Sequence, residues 1–400
     1  MGSLKKQWIE DESRGYSVPD KKYVCASHFN DKYLQQYVQE NSILGKCEYC
    51  GRKTQVIDLR DFMEYAAGKI TEHYGNPSDE ALYLESSFYD DDDEEIPGFK
   101  RVGCFISPSY ADNFDSTTEL LYELDLTTDD VQLNKDIEDC FIWDEWIQHH
   151  PYMMTEGQEL SFMWEMFGRM VKHEQRFTFF KRPEFTGEKM SGDNNLMDIL
   201  TELGVKITEN NLCKELDIDT ELYRCRFIDT GEVVDTFDKI SSPPDNKAKQ
   251  SRMSPAGISM FYGAFDRNTA VLESSPDGIT TSGAHVVGKF KTKAKLKVLD
   301  LTDLPQLSFW IPSDWQVIKF LYSFRNEITK PIERDDRIHI EYVPSQVFTE
   351  YLRYIYRGTE GEKIDGIIYK SSLSGTSSSN VVVFYNKKTS ADILELINLS

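Results

Sequence analysis

Residues Ser251–Glu273 read SRMSPAGISMFYGAFDRNTAVLE, and this stretch decides how the C-terminal half of the chain is built. Arg252 precedes Ser254-Pro255-Ala256-Gly257, where Pro and Gly favour a turn. Ile258–Phe265 is an apolar run ending with Gly263 and Ala264, which predicts a strand. Asp266 then stands where it can cap a helix carrying Ala270, Val271 and Leu272, with Glu273 in the second turn. Loop, strand and helix thus bring a carboxylate back over a sheet.

Downstream and upstream of this stretch, short apolar runs at Leu222–Ile228, Leu296–Leu299, Gly366–Tyr369 and Val381–Tyr385 also suit strands. They predict a mixed α/β domain over residues 215–400. The front half reads differently. Lys32–Gln39 places Tyr33, Leu34, Tyr37 and Val38 on one helical face. Asp58 can cap a second helix with Leu59, Phe62, Met63, Ala66, Ile70 and Tyr74 at three- and four-residue spacing, stopped by Gly75. Leu160, Met163, Trp164, Phe167 and Val171 form a further apolar stripe. The chain is therefore expected to be α+β: a tail over 1–20, a mainly helical domain over 21–190, a connecting segment over 191–214 and the mixed domain. Thr186–Asn195, TGEKMSGDNN, is the expected linker, and the acidic run Asp90–Glu95 a solvated loop. No internal repeat and no Walker or Rossmann glycine pattern is present.

A formal charge of −23 disfavours a nucleic-acid surface, since phosphate binding rests on Lys and Arg. No apolar stretch suits a signal peptide or a membrane span, and Lys6 stands where a myristoylation pattern wants Ser or Thr. The expectation is a soluble cytoplasmic protein. Seven cysteines without a secretory signal argue against a disulfide framework and turn attention to metal binding.

Cys25 and His28 are separated by two residues, as are Cys47 and Cys50. Each pair can fold back as a knuckle and offer two ligands to one tetrahedral ion. Thiolates with one imidazole suit structural Zn²⁺. Gly51 follows directly, where a knuckle needs a residue tolerant of positive φ. Cys104, Cys140, Cys213 and Cys225 lack such pairing, and burial is their default.

In the C-terminal domain, Arg252 is suited to bidentate contact with a pyrophosphate. Tyr262 is placed to support a ring or donate a hydrogen bond to it. Glu273 can stabilise the positive charge that develops as a C–N glycosidic bond breaks. RMSPAGISMFYGAFDRNTAVLE resembles the core signature of RES-domain proteins, named for their Arg, Glu and Ser. ELYRCRFIDT at Glu221–Thr230 resembles the strand that opens that domain. DGIIYKSSLSGTSSSNVVVF at Asp365–Phe384 resembles its serine-bearing end, and YVPSQVFTE at Tyr342–Glu350 the segment before it. The resemblance covers about residues 215–390. It implies a fold similar to the ADP-ribosyltransferases, NAD⁺ as substrate, and Arg252, Glu273 and Ser371 as the catalytic set, with Ser372 the adjacent alternative. It further implies that Arg224 and Tyr262 hold the dinucleotide. One departure is visible: Ser251-Arg252-Met253-Ser254 stands where many members read G-R-W-N, so the aromatic platform is missing or replaced.

VCASHF and CEYCG followed by helices resemble the N-terminal domain found ahead of some RES domains and grouped with the HEPN helical proteins. The HEPN ribonuclease motif needs four to six residues between its Arg and His. Arg169 and His173 have three. Taken together, the resemblance implies an NAD⁺-degrading enzyme of toxin or defence type, acting by phosphorolysis or hydrolysis. Alternatives are a mono-ADP-ribosyltransferase with a protein target, and a HEPN-type RNase or a non-catalytic binding module. It admits an antitoxin or trigger protein and a homodimer as partners.

Overall fold

The computed structural model describes residues 2–83, 98–102, 105–178, 198–228, 231–275, 284–330, 338–371 and 378–400. Two compact units emerge, Met1–Gln158 with Gln306–Gln316, and Glu159–Pro305 with Val317–Ser400. Both mix helices and strands.

The front of the chain, expected to be mainly helical over 21–190, carries more helix than strand among the described residues, with short strands between the helices. Helices Lys32–Glu40, Leu59–His73, Thr117–Glu123 and Val131–Glu138 are interleaved with three short three-stranded sheets. The two expected helices form with their caps. Asp31 accepts from the N–H groups of Tyr33 and Leu34, and Asp58 from that of Arg60. The second ends at His73, because Tyr74–Gly75 turns into a strand paired with Trp146–Gln148. Phe62, Met63, Ala66 and Ile70 face the core. The expected tail is largely a helix, Gly2–Arg14, after which Tyr16 is buried and bridges to Phe141. The distant segment Gln306–Gln316 joins this unit through Trp310, whose indole donates to the Leu124 carbonyl at 2.6 Å.

The second unit is built on an eight-stranded sheet. We number its strands β1 (Cys213–Leu216), β2 (Glu221–Phe227), β3 (Phe261–Ala264), β4 (His285–Thr292), β5 (Leu296–Asp300), β6 (Gly366–Lys370), β7 (Ser379–Val383) and β8 (Leu394–Leu399). The spatial order is β1-β5-β6-β7-β3-β2-β4-β8, antiparallel except for the β5–β6 pair. Because side chains alternate along a strand, register sorts the two faces. Tyr369 lies opposite Asn380, and Asn380 opposite Ala264, which itself pairs with Tyr223. These residues share one face. On it, the helix Arg267–Ser274 packs Ala270 and Val271 against Cys225, Ala264 and Val287. Leu222, Phe261, Phe290, Val298, Ile368, Val381 and Val383 fill the core on the other face.

Two expected boundaries differ from the packing. Thr186–Asn195 lies outside the described residues, but residues 198–214 of the expected connecting segment are structured. Asp198–Glu209 is a helix burying Ile199, Leu200, Leu203 and Ile207, and it leads into β1 at the sheet edge. The apolar stripe of the helix Glu156–His173 also belongs largely to this unit rather than to a domain ending at 190. Trp164 packs edge-on against Phe324 at 4.8 Å and donates to Glu327 at 2.9 Å. The acidic run Asp90–Glu95 lies outside the described residues. Among those described, no helix is long and apolar enough to cross a membrane.

Asp266 fixes the start of the site-bearing helix: its carboxylate accepts from the Thr269 N–H at 2.9 Å and from the Ser378 hydroxyl. Asp266→Ala is expected to cost about 1–2 kcal/mol, the usual range for a lost N-cap. That corresponds to a Tm decrease of roughly 2–8 °C, read by thermal unfolding.

Candidate active site

Arg252 sits on a turn closed by a bridge between Ser251 and Ser254. The turn's geometry is held from a helix ninety residues downstream in sequence, Val343–Tyr354. Its Ser345 hydroxyl donates to the Arg252 carbonyl at 2.6 Å, and the Gln346 amide to the Ser251 carbonyl at 2.9 Å. Thr349 donates to the Met253 sulfur at 3.4 Å, and Met253 is fully buried. The Arg252 guanidinium donates to the Lys330 carbonyl at 2.6 Å and lies 5.7 Å from the centroid of the Tyr342 ring. Met253 therefore packs inward, and an aromatic ring reaches the arginine from Tyr342 instead.

Glu273 projects from the last turn of the helix Arg267–Ser274. One of its carboxylate oxygens accepts from the Ser371 hydroxyl at 2.6 Å and from the Asn380 side-chain amide at 2.7 Å. Ser371 follows β6 directly, and its N–H pairs with the Ser378 carbonyl. Ser372 lies outside the described residues. Burial raises the pKa of the Tyr369 hydroxyl, and the nearby Glu273 charge adds to the effect.

Arg224 and Tyr262 occupy a split in the sheet. β2 and β3 pair only at Tyr223 and Ala264, and past that pair the strands part. The Arg224 guanidinium donates across the gap to the Tyr262 carbonyl at 2.7 Å. Desolvation lowers its pKa to about 10, which still leaves it a cation at neutral pH. The Tyr262 hydroxyl lies 3.0 Å from that of Ser254, so this ring ties β3 to the Arg252 turn. Burial pushes its pKa up to about 12.

Arg224, Arg252, Tyr262 and Glu273 line one cavity of about 510 Å³, with Ser371 joined to it through Glu273. Among the described residues, the lining carries three cations, Arg224, Lys249 and Arg252, against one carboxylate, Glu273. It also carries four tyrosines, 223, 262, 342 and 369. In a chain of charge −23 this is a local reversal of sign suited to an anionic ligand with planar rings. Lys249, Tyr342 and Asn380 escaped sequence reading. Tyr342 and Asn380 lie inside the segments quoted for the family resemblance, but nothing local marked either as a site residue.

Arg169 and His173, the alternative pair for RNA chemistry, lie one turn apart on the helix Glu156–His173. Arg169 is exposed and pairs with Glu174 at 3.5 Å, at the end of its helix.

In the first unit the four expected metal ligands converge. The ligand atoms of Cys25, His28, Cys47 and Cys50 all lie within 4.8 Å of one another. The Cys25 and Cys50 sulfurs are 3.7 Å apart, and the Cys47 sulfur is 3.4 Å from His28 Nε2. A tetrahedral zinc with bonds of about 2.3 Å to sulfur requires sulfur separations of about 3.8 Å, so the donor set fits. Gly51 takes φ +71°, the positive value the knuckle needs. Burial opposes ionisation of Cys50. The Arg52 N–H, His28 and the neighbouring thiols outweigh it and bring the pKa down to about 6. Of the cysteines expected to be merely buried, Cys140 and Cys225 are buried, Cys213 is half-buried, and Cys104 lies outside the described residues.

Compared with models of protein families, residues 40–185 match HEPN/RES N-terminal domain 1, and residues 221–396 match the RES domain. The second match contains every cavity residue discussed above. The first contains Cys47 and Cys50 but begins after Cys25 and His28. No curated protein matches the chain.

Proposed function

From a chain that carries a HEPN/RES N-terminal domain followed by a RES domain, we propose an enzyme that cleaves the nicotinamide–ribose bond of NAD⁺. The observation that carries this reading is a carboxylate, fixed by two donors, in a cavity whose other charges among the described residues are cations. Arg252 binds a phosphate of the dinucleotide through N–H groups not engaged with the Lys330 carbonyl, and Lys249 and Arg224 add positive potential. The tyrosine rings receive the planar bases.

In the reaction the C–N bond breaks with its electron pair leaving on nicotinamide, which departs neutral. Positive charge grows on the ribose, and Glu273 stabilises it electrostatically without forming a bond. An oxygen of phosphate or water then closes the ribose carbon, and in the case of water a proton is released. Ser371 orients Glu273; it has no role as a nucleophile here. The expected likeness to the ADP-ribosyltransferase fold and the toxin or defence role belong to the same proposal. In the first unit Cys25, His28, Cys47 and Cys50 would hold a structural Zn²⁺, which contributes to folding and not to the reaction.

The test is incubation of the full chain with NAD⁺, with and without phosphate, while nicotinamide and the ribosyl product are followed. Nicotinamide release with ADP-ribose, or with its phosphorylated form when phosphate is present, is the expected result. Induced expression in a bacterial host is expected to deplete cellular NAD⁺. ADP-ribose appearing on protein instead would redirect the reading to a transferase. Intact NAD⁺ in both the tube and the host would overturn it.

A further inference from the structure

Glu273 stands where a carboxylate is poorly accommodated. It is the seventh residue of an eight-residue helix, beside the carbonyl end where the backbone dipoles present negative charge. A flexible Glu side chain there would turn toward solvent unless something held it.

The hairpin of β6 and β7 supplies the hold. Ser371 pairs with Ser378, and Tyr369 with Asn380, so Tyr369, Ser371, Ser378 and Asn380 share the face beneath the helix. Ser378 donates to Asp266, the cap at the start of the helix, and Asn380 donates to Glu273 near its end. Two residues of one strand edge therefore tie down both ends of the same short helix. Asn380 is nearly inaccessible, at 3% exposure, and no apolar role explains an amide in a run of valines. A buried amide is retained where its hydrogen bonds are made.

We propose that Asn380 is a positioning residue which, together with Ser371, fixes the Glu273 carboxylate in the orientation used on the ribose; this rests on the NAD⁺-cleaving reading above. The amide does not touch substrate. It acts through Glu273, and its removal lets the carboxylate rotate away from the reacting carbon, where small displacements are costly.

Three measurements test this. For Asn380→Ala, kcat for nicotinamide release is expected to fall about 10- to 100-fold, with KM within about threefold of wild type, because an interaction realised in the transition state is lost. In a Glu273→Gln background, followed with labelled NAD⁺, the same substitution is expected to lower the residual rate by less than about twofold. A residue that merely packs the sheet would depress both backgrounds equally, and that result would overturn the proposal. The third measurement needs no substrate and so stands even if NAD⁺ proves not to be cleaved. The Tm loss caused by Asn380→Ala is expected to be at least halved when Glu273 is already Ala. Equal losses in the two backgrounds would show that the amide does not act through Glu273. Asn380→Leu, of similar size but without the donor, carries the same measurements should the Ala variant fail to fold.

Discussion

Replacing Glu273 with Gln is expected to lower kcat for NAD⁺ cleavage by about 10³-fold while the Kd for NAD⁺ stays within about threefold of wild type. Such a loss corresponds to roughly 4 kcal/mol of transition-state stabilisation. Gln keeps the shape of the side chain, and its amide oxygen still accepts from Ser371 and Asn380, which both reach a single oxygen of Glu273. What disappears is the negative charge. On the proposed reading, substrate binding rests chiefly on the cations Arg224, Lys249 and Arg252 of the lining, so the ground state is expected to be little affected. On the proposed mechanism the positive charge growing on the ribose would then meet no counter-charge, because Glu273 is the one carboxylate among the described lining residues. Single-turnover nicotinamide release gives kcat, and equilibrium titration of the variant gives Kd. Undiminished turnover would remove Glu273 from the chemistry. A large rise in Kd with unchanged kcat would make it a binding residue.

The parts of this site that were legible in the sequence are those written locally. Arg252, the turn after it, the strand, the Asp266 cap and Glu273 lie within 23 consecutive residues, and each step follows from turn chemistry, apolar patterning or capping. Ser371 required the family likeness, because nothing local separates it from the other serines of SSLSGTSSS. Asn380 and Tyr342 were beyond reach for a different reason. Their partners, Glu273 and Arg252, are about a hundred residues away, and only strand register or helix docking brings them together. The segment VPSQVFTE is instructive in this respect. It was recognisable as a pattern, but the reason for the pattern is tertiary: Ser345, Gln346 and Thr349 hold the backbone and side chains of the Arg252 turn.

The same division explains the errors in the fold. β4, HVVGKFKT, was missed because Gly288 and two lysines interrupt its apolar alternation, although Val287 and Phe290 are buried in it. The strands of the first unit were missed because, at two to six residues long, they are too short to show a period. The boundary near 190 was drawn at a polar stretch. It lies close to the end of the N-terminal family match at 185, while the division by packing falls within the helix Glu156–His173, where Trp164 turns to Phe324 and Glu327. Polarity of a segment records its exposure, whereas the packing boundary records which core its neighbours join.

Removal of metal is expected to act on the first unit as sharply as Glu273→Gln acts on the second. The knuckle has little apolar substance of its own. Its cluster is Cys25, Cys47 and Val56, while Ile43 and Leu44 on the neighbouring strand are 57% and 80% exposed. Without an ion, the Cys50 thiol, whose pKa is lowered to about 6, would be held as an uncompensated anion beside the buried Cys47 and the other ligands, an arrangement that a bound cation relieves. Structural zinc sites contribute apparent free energies on the order of 10 kcal/mol, far more than this cluster supplies by burial. Protein purified without chelator is therefore expected to hold about one zinc per chain, and Cys47→Ser to hold far less. On chelation, amide hydrogen exchange across Cys47–Arg52 is expected to accelerate by about 10²-fold or more. The helix Leu59–His73 is expected to keep its protection, because Phe62, Met63, Ala66 and Ile70 are anchored in the main core and not in the knuckle. That contrast separates a local metal clasp from general destabilisation. Zinc content near zero, or exchange unchanged by chelator, would show that the four residues converge without holding an ion.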